Sequence, residues 1–293
     1  MGLSGGLGNQ FFQYASGLGI ASTLGAELRL DGSWLRPDER WMPGVLGPRY
    51  QEASRLELAR VGDVDVGERS VDKVVRELAR HAVGGTRRLH RRSPARHEQR
   101  GPFTGYFDPS LFRLDLPALL RGWYQSERYF EHVAAEVDSH LRLPEVTLPA
   151  GVPDGQPVVA VSFRRGDYVR LGWQLPLAYY ERALERMAHD VPGARFLVFG
   201  DDPDFVHLVT DWVGRYGPAT DAYELTGGVL EQLALASACD HAVLANSSFA
   251  WWAAWLGERR AGHAPRLVLA PAAYPDRFGR DLVPDRWELL PSD

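Results

Sequence analysis

The sequence is poor in the residues that cross-link or anchor a protein. Cys239 is its single cysteine, which excludes an internal disulfide and a metal site built from several cysteines. It has no apolar run of about 18 or more residues, and no charged start followed by an apolar stretch and a cleavage site. These absences argue against a membrane span and a signal peptide. We therefore expect a cytoplasmic protein in a reducing compartment.

Basic charge is not in excess either. The formal net charge is −5, and the only lysine is Lys73, so nearly every basic residue is arginine. A mildly acidic chain argues against nonspecific nucleic-acid binding, and we expect no nucleic-acid partner. Any anion that the protein binds must be held by a local group of side chains. The arginine bias also indicates a GC-rich bacterial source.

The 293 residues suffice for about two domains. A glycine-rich turn, a helix and a strand are predicted near the start, at Gly5–Gln10, Phe11–Leu24 and Ala26–Leu30. Proline and glycine are frequent in Leu143–Pro157, which we interpret as a linker. We place the boundary there and predict domains at residues 1–150 and 151–293.

The second half alternates short apolar runs with helical stretches, a pattern typical of βαβ units and a parallel sheet covered by helices. The predicted strands are at 158–163, 195–199, 222–225, 241–245 and 267–270. The predicted helices are at 176–190, 203–216, 229–238 and 249–257. We therefore expect this half to be a Rossmann-like domain.

The apolar run Val158–Phe163 leads directly into Arg164, Arg165, Gly166 and Asp167. Ligands bind at the carboxyl ends of the strands in open α/β sheets, so both arginines are expected at the functional edge. Guanidinium groups match phosphate oxygens in a planar, bidentate geometry and stay charged, which suits a diphosphate that must leave. The alternative interpretation is an Arg–Asp salt bridge that only holds a loop.

The glycine-rich turn is a second candidate phosphate site. Backbone N–H groups at Gly6 and Gly8, where the first helix begins, could hold a pyrophosphate. The turn has neither the Walker pattern nor the dinucleotide pattern of glycines. Asn9 and Gln10 add amide groups that suit sugar hydroxyls and phosphate oxygens, or that could equally cap the helix.

Two aspartates follow the predicted strand 195–199. Asp202 and Asp204 resemble a metal-binding pair, but Pro203 at the first helical position explains their spacing without a metal. We predict no metal site. Asp202 is a candidate ligand of the donor substrate, and a helix N-cap is the alternative.

The start of the last predicted helix offers hydroxyl and N–H groups for a second phosphate contact, at Asn246, Ser247, Ser248 and Phe249. Three tryptophans follow on the same helix, at Trp251, Trp252 and Trp255. We interpret these tryptophans as core packing rather than as a platform for a sugar, because they cover a broad face of the helix.

Residues 84–100 form a strongly basic stretch. Its positive side chains are Arg87, Arg88, His90, Arg91, Arg92, Arg96, His97 and Arg100. We interpret the stretch as a solvated loop. The alternative is contact with an acidic glycan or with an anionic membrane, which would place the protein peripherally at the inner face of that membrane.

Six blocks, in this order, resemble glycosyltransferase family 11, the α-1,2-fucosyltransferases. They are GGLGNQFFQYA (Gly5–Ala15), GWYQSERYF (Gly122–Phe130), FRRGDY (Phe163–Tyr168), LPLAYY (Leu175–Tyr180), FGDDP (Phe199–Pro203) and ANSSFAWWAAWL (Ala245–Leu256). Together they span nearly the whole chain. The resemblance implies an α/β fold of the GT-B type, with two Rossmann-like domains facing across a cleft. Residues 1–150 would form the acceptor side and residues 151–293 would bind the GDP-sugar.

The resemblance also implies chemistry. GDP-fucose would be the donor and a β-galactoside the usual acceptor, with inversion at the anomeric carbon and no metal or other cofactor. Arg165 matches the second arginine of the family's H-x-R-R-x-D motif, which holds the donor diphosphate. Asp240 resembles the acidic residue that reads the guanine edge in relatives. Ser162 stands where that motif has histidine. This chain therefore has no imidazole at that position to contact guanine or phosphate.

We therefore expect fucose transfer to the 2-hydroxyl of a terminal galactoside, on an oligosaccharide or lipid-linked glycan, in bacterial glycan synthesis. The expected catalytic residues are Arg165, Asp167 and Asn9. Asp167 would deprotonate or orient the acceptor hydroxyl, or only brace Arg164. The expected donor-binding residues are Gly6, Gly8, Gln10, Arg164, Arg165, Asp202, Asp240, Asn246, Ser247, Ser248 and Phe249. The alternatives are a transferase that uses another nucleotide sugar and a non-catalytic glycan-binding homologue.

Overall fold

The computed structural model describes residues 1–30, 95–98, 106–141, 143–148, 155–226, 228–260, 266–272 and 281–293. These residues belong to two compact units. The first unit holds described residues of Met1–Leu141, with Asp281 and Leu282, and the second holds those of Arg142–Asp276 and Val283–Asp293. The expected boundary between residues 150 and 151 stays a prediction, because residues 149–154 lie outside the described part.

The first unit begins with a long buried helix, α1 (Leu7–Leu24). It starts four residues before the predicted position, because Gly6 is extended, with φ −70° and ψ 173°, and the chain turns directly into the helix. Gly25, with φ 61°, ends it in the left-handed conformation that glycine adopts readily. The strand predicted at residues 26–30 is wrong, since no described strand lies beside these residues to pair with them.

Two short strands of the first unit, β1 (Ala95–Glu98) and β2 (Ala118–Arg121), pair in parallel. Short 3₁₀ helices lie at Pro109–Arg113, Glu127–Tyr129 and Glu131–Val133, and α2 (Ala134–His140) follows them. Residues 31–94 lie outside the described part, so a Rossmann-like fold for this unit stays a prediction.

The second unit contains a six-stranded sheet in which every pairing is parallel. Its strands are β3 (Val158–Ser162), β4 (Arg195–Phe199), β5 (Ala219–Asp221), β6 (His241–Val243), β7 (Val268–Pro271) and β8 (Glu288–Leu290). Their order is β5-β4-β3-β6-β7-β8, so the chain starts in the middle and builds outward to both sides. The predicted α/β fold with a parallel sheet is confirmed for this unit.

In the part of the chain that the structure describes, five α-helices connect these strands. They are α3 (Gly166–Leu171), α4 (Leu177–Asp190), α5 (Pro203–Val213), α6 (Val229–Ala238) and α7 (Ser248–Gly257). The strand predicted at 222–225 is wrong: β5 comes earlier, and Asp221 then accepts a 2.8 Å hydrogen bond from the N–H of Tyr223, which starts a 3₁₀ turn. Neither α3 nor β8 was predicted.

The core of the second unit lies on both faces of the sheet. Every residue of β3 is buried, which is why its first four residues, Val158–Val161, are continuously apolar rather than alternating. Trp251, Trp252 and Trp255 are each at most 1% exposed, which confirms that they pack in the core. Within the described ranges, no helix is both long and apolar enough to cross a membrane.

Candidate functional site

The carboxyl edge of the second unit's sheet, where β3, β4 and β6 end, holds both arginines that follow β3. The guanidinium of Arg164 pairs with two carboxylates, through Nη2 to Asp167 Oδ1 at 2.6 Å and through Nη1 to Asp201 Oδ2 at 2.6 Å. It also lies 5.0 Å from the centroid of the Tyr168 ring. The positive charge of Arg164 is therefore balanced locally by salt bridges, and its contact with the donor stays a prediction.

Arg165 has different surroundings. Its guanidinium carbon lies 4.1 Å from the centroid of the Phe205 ring, a cation–π distance. Its Nε makes one long contact of 3.4 Å with Asp202 Oδ2, and its side chain is one-third exposed, at 33%. Among the described residues, the charge of Arg165 is thus less compensated than that of Arg164, and more of its hydrogen-bonding capacity remains for an anion.

Asp201 links the two arginines. Besides its ion pair with Arg164, it accepts a 2.8 Å hydrogen bond at Oδ1 from the backbone N–H of Arg165. Gly166 packs against the same carboxylate, since a Cβ there would come within 2.5 Å of Asp201 Oδ2. One carboxylate therefore fixes both the first guanidinium and the backbone that carries the second.

Asp202 begins α5 and caps it, because its Oδ1 accepts a 3.1 Å hydrogen bond from the N–H of Phe205. The N-cap interpretation of Asp202 is confirmed, and the contact of its other oxygen with Arg165 leaves a role in donor binding as a prediction. Asp204 is exposed. Among the described residues, no group of three or more His, Cys, Asp or Glu side chains is arranged to hold a metal ion.

Tyr223 closes the turn after β4, because its hydroxyl donates a 2.8 Å hydrogen bond to the carbonyl of Gly200. Desolvation raises the pKa of this phenol, and the nearby Asp201, Asp221 and Asp202 add to the increase, while a hydrogen bond with Gln232 lowers it. The phenol therefore stays protonated and keeps donating to the turn that presents Asp201.

The start of α7 lies at the same edge. The buried Asn246 donates through Nδ2 to the carbonyl of Trp173 at 2.8 Å, and its own carbonyl accepts a 3.3 Å bond from the Tyr168 hydroxyl. The Ser247 hydroxyl is the N-cap of α7, since it accepts a 3.1 Å bond from the N–H of Ala250. Ser248 and Phe249 are the first two residues of α7, so their N–H groups point out of the amino end of the helix.

Asp240, one of the expected donor-binding residues, does not lie at the carboxyl edge of the sheet with the arginines. Asp240 precedes β6, and its Oδ2 accepts a 2.8 Å hydrogen bond from the N–H of Val158, the first residue of β3. Its own N–H returns a 2.8 Å bond to the Val158 carbonyl. Because parallel strands begin at one edge and end at the other, Asp240 lies at the amino edge, a strand's length from the arginines.

The remaining predicted residues lie in the first unit, at the start of α1. Gly6 and Gly8 are buried. Asn9 Oδ1 accepts a 2.7 Å hydrogen bond from Gln125 Nε2, and the fully buried Gln10 donates through Nε2 to the Gly5 carbonyl at 2.8 Å. Neither bond is the helix-capping bond that was the alternative.

The structure therefore brings the predicted residues together as two sets, one in each unit. The second unit gathers Arg164, Arg165, Asp167, Asp202 and the Asn246–Phe249 turn. The first unit gathers Gly6, Gly8, Asn9 and Gln10. The basic stretch at 84–100 lies outside the described residues except for 95–98, so its contact with a membrane stays a prediction.

Sequence reasoning missed Asp201, Phe205 and Gln125. A signal existed for Asp201, the first of two aspartates directly after a strand. Phe205 and Gln125 lie 40 and 116 residues from Arg165 and Asn9 in sequence, so no local pattern pairs them with those two residues.

The chain resembles known proteins over most of its length. Residues 115–275 match the sequence model of Glycosyl transferase family 11. Over 97% of this chain and 96% of the relative, it is 24% identical to the alpha-1,2-colitosyltransferase of Escherichia coli. A stretch of 108 residues, 33% of each chain, is 31% identical to the O-antigen biosynthesis glycosyltransferase WbnK of Escherichia coli. The crystal structure of POFUT1 in complex with GDP matches with a TM-score of 0.40 and 12% identity, over 90% of this chain and 96% of that one.

Proposed function

Because the chain belongs to glycosyl transferase family 11, we propose that it transfers L-fucose from GDP-fucose to the 2-hydroxyl of a terminal galactoside, with inversion. As a glycosyltransferase it uses a nucleotide-sugar donor and a glycan acceptor. The α-1,2 linkage is supported by the full-length relative, whose name gives the same linkage. The two units would form a GT-B enzyme, with the donor held by the second.

The contrast between the two arginines carries this proposal. Arg164 is neutralised by Asp167 and Asp201, whereas Arg165 has one long carboxylate contact and an aromatic ring beneath it. A guanidinium that is fixed in place but incompletely paired is suited to receive a diphosphate. Arg164 and Asp201 would then serve to hold the turn that presents Arg165.

In the proposed reaction the 2-hydroxyl oxygen of the acceptor attacks the anomeric carbon of fucose. The bond from that carbon to the β-phosphate oxygen breaks, and its electron pair leaves on GDP. Arg165 would stabilise the charge that develops there, a preorganised contact of the kind worth about 10²- to 10³-fold in rate. The Ser247–Phe249 turn and Asp202 would complete the donor site.

Asp167 is the proposed acceptor of the hydroxyl proton. Its 2.6 Å ion pair with Arg164 supports the alternative role, in which it only braces that guanidinium. Asp167→Asn separates the two. Loss of a general base costs about 10²- to 10⁴-fold in kcat, whereas loss of a brace mainly weakens donor binding and raises KM.

The direct test is incubation with GDP-fucose and a set of terminal galactosides, with the product linkage determined by mass spectrometry and NMR. An α-1,2-fucosylated product supports the proposal, and its absence with every acceptor contradicts it. A colitosyl donor is the second candidate, because the full-length relative is named for colitosyl transfer. A panel of GDP-fucose, GDP-colitose, GDP-mannose and UDP-galactose distinguishes these donors.

A non-catalytic glycan-binding homologue would behave differently in a thermal-shift experiment. An enzyme with a GDP-sugar site is stabilised by GDP, because a ligand that binds only the folded state raises its free energy of unfolding. Stabilisation by a galactoside without stabilisation by GDP would favour the non-catalytic alternative.

A further inference from the structure

The first unit contains a polar contact that joins two distant segments beside the glycine-rich turn. Gln125 Nε2 donates to Asn9 Oδ1 at 2.7 Å, although the two residues are 116 positions apart. Gln125 is only 5% exposed, so its own amide is largely shielded from water. Hydrogen bonds of this kind hold side chains in one orientation, because a buried amide that loses its partner is costly.

The backbone that delivers Gln125 is strained. Tyr124, the preceding residue, has φ 47°, in the left-handed region that a bulky aromatic residue rarely adopts. Such residues persist only where their surroundings over-determine them, and they cluster at functional sites. Tyr124 is fully buried, and its hydroxyl donates to the Arg121 carbonyl at 3.0 Å.

Polar residues of α1 hold this strained segment in place. The Ser16 hydroxyl donates to the Tyr124 carbonyl at 2.8 Å, and Gln13 Nε2 donates to the Gly122 carbonyl at 2.9 Å. Gln13 and Ser16 are both fully buried, which is unusual for polar residues on a helix unless they are hydrogen-bonded. Hydrogen bonds from one face of α1 therefore fix residues 122–125. Gln125, the last of these residues, in turn hydrogen-bonds to Asn9 on the same helix.

The direction of the hydrogen bond between Gln125 and Asn9 has a chemical consequence. A carboxamide has one acceptor oxygen and one donor NH₂ group. With Asn9 Oδ1 accepting from Gln125, the Nδ2 group, which lies next to Gly5, is the part of Asn9 suited to a substrate. Its partner would then have to be an acceptor, such as a phosphate oxygen or a sugar oxygen.

We propose that Gln125 is a positioning residue that fixes the Asn9 carboxamide so that its Nδ2 donates to the substrate. The inference rests on the proposed function and on the expectation from the sequence that Asn9 is a catalytic residue. Gln125 itself touches Asn9 and acts only through it. The consequence is that Gln125 matters for turnover only while Asn9 is present.

A double-mutant cycle tests this coupling. Gln125→Met keeps the length of the side chain and removes its donor. We expect kcat/KM to fall about 10- to 100-fold, the loss typical when a hydrogen-bond partner that orients a metal ligand is removed. In the Asn9→Ala background the same change should have almost no further effect, because the interacting groups form one unit. Equal losses in both backgrounds would overturn the inference, as would full activity of Gln125→Met.

A pH profile adds a reading that a merely structural role would not move. In Gln125→Glu the ionised carboxylate can only accept, so Asn9 must turn its Nδ2 away from the substrate. The protonated acid can donate again, and burial raises its pKa above the usual value of about 4.3. We expect the activity of this variant, relative to the wild type at each pH, to rise as pH falls. A ratio that is independent of pH would contradict the assignment.

The controls separate this inference from the proposed function. Gln156→Met removes a comparable bond, from Nε2 to the Gly193 carbonyl at 3.0 Å in the second unit, and should leave kcat/KM unchanged. Melting temperatures verify that each variant is folded. A wild-type protein without any transfer would overturn the proposed function and this inference together, whereas an active wild type with additive losses would overturn this inference alone.

Discussion

Arginines and aspartates lie at both edges of the second unit's sheet, but their surroundings differ. At the carboxyl edge, Arg164 and Arg165 are partly exposed and lie against carboxylates and aromatic rings. At the amino edge, Arg266 lies against the carbonyls of Ser237 and Ala254, at 3.5 and 3.4 Å, and desolvation lowers the pKa of its guanidinium. Gly257 leaves the space for its guanidinium.

The carboxylates differ in the same way. Asp201 holds side-chain and backbone groups of a turn that faces solvent, whereas Asp240 satisfies the first N–H of β3. Cys239 beside it is fully buried, and desolvation raises the pKa of its thiol to about 12, so it stays neutral. The residue type alone thus does not identify a functional site. The carboxyl edge leaves its charged groups partly exposed, whereas the amino edge uses them in hydrogen bonds to backbone groups at the ends of strands and helices.

Among changes at the two edges, we expect the loss of Arg165 to have the largest effect on kcat. Arg165→Ala should reduce kcat by about 10²- to 10³-fold or more, because the contact with the leaving diphosphate is removed. Arg165→Lys should also fail, since the forked geometry is lost. Transfer assays measure both. Arg186→Ala, which removes a surface arginine paired with Glu288, is the matched control and should be active. An active Arg165→Ala enzyme would contradict the proposed mechanism.

Asp201→Asn should have the next largest effect. It removes one of the two charges that hold Arg164 and weakens the bond to the backbone of Arg165, and hydrogen bonds to charged groups support a loss of about 10- to 100-fold in kcat/KM. Asp190→Asn removes a surface carboxylate that pairs with Arg186, and it should have little effect on transfer. Equal activities of the two variants would show that Asp201 does not position the arginines.

Phe205→Leu tests the ring beneath Arg165. The apolar volume is largely kept while the cation–π interaction is lost, which at about 0.5–2 kcal/mol corresponds to roughly 2- to 30-fold in kcat/KM. Phe205→Tyr keeps the ring and should remain close to wild type. The core variant Phe196→Leu should lower the melting temperature and spare turnover. A loss shared by Phe205→Tyr and Phe205→Leu would count against the role of the ring.

Asp240 at the amino edge tests the opposite expectation, which is a loss of stability without a loss of activity. Asp240→Ala leaves the Val158 N–H without its side-chain acceptor, so we expect a loss of about 1 kcal/mol in the free energy of unfolding and nearly unchanged kcat/KM. Asp240→Asn keeps an acceptor oxygen and should lose less stability. Denaturant titration measures the difference. A large rise in the KM for the GDP-sugar would restore Asp240 as a donor ligand.

The smallest effect concerns pH. His241 Nδ1 accepts a 3.0 Å bond from the Leu267 N–H, and desolvation lowers the pKa of this imidazole, against the opposing effect of Asp240. The unfolded chain, with a histidine pKa of about 6.5, therefore takes up the proton more readily. The stability contributed by His241 is present above that pH and lost as pH falls through the lower folded value.

Melting curves between neutral and mildly acidic pH measure this contribution. His241→Asn keeps a side-chain acceptor without a titrating group, so its melting temperature should depend less on pH than that of the wild type. Identical slopes for the two proteins would contradict a half-buried, neutral His241.

Much of the second unit could be predicted because its signals are local. Continuous apolar runs identified β3 and β4, and Pro203 together with Asp202 identified the start of α5. The predictions that failed depended on partners distant in sequence. Residues 26–30 are apolar enough for a strand but have no described strand to pair with, and β8 completes the sheet only because β7 lies beside it.

The sequence alone determined that two arginines and several carboxylates would end buried strands of a parallel sheet, because strand pattern and residue type are local properties. Only the tertiary structure decided which arginine is neutralised, which carboxylate holds the turn, and that Asp240 lies at the other edge. Charge compensation depends on distances of a few ångströms between residues far apart in the chain. Those distances are set by how the strands and helices pack.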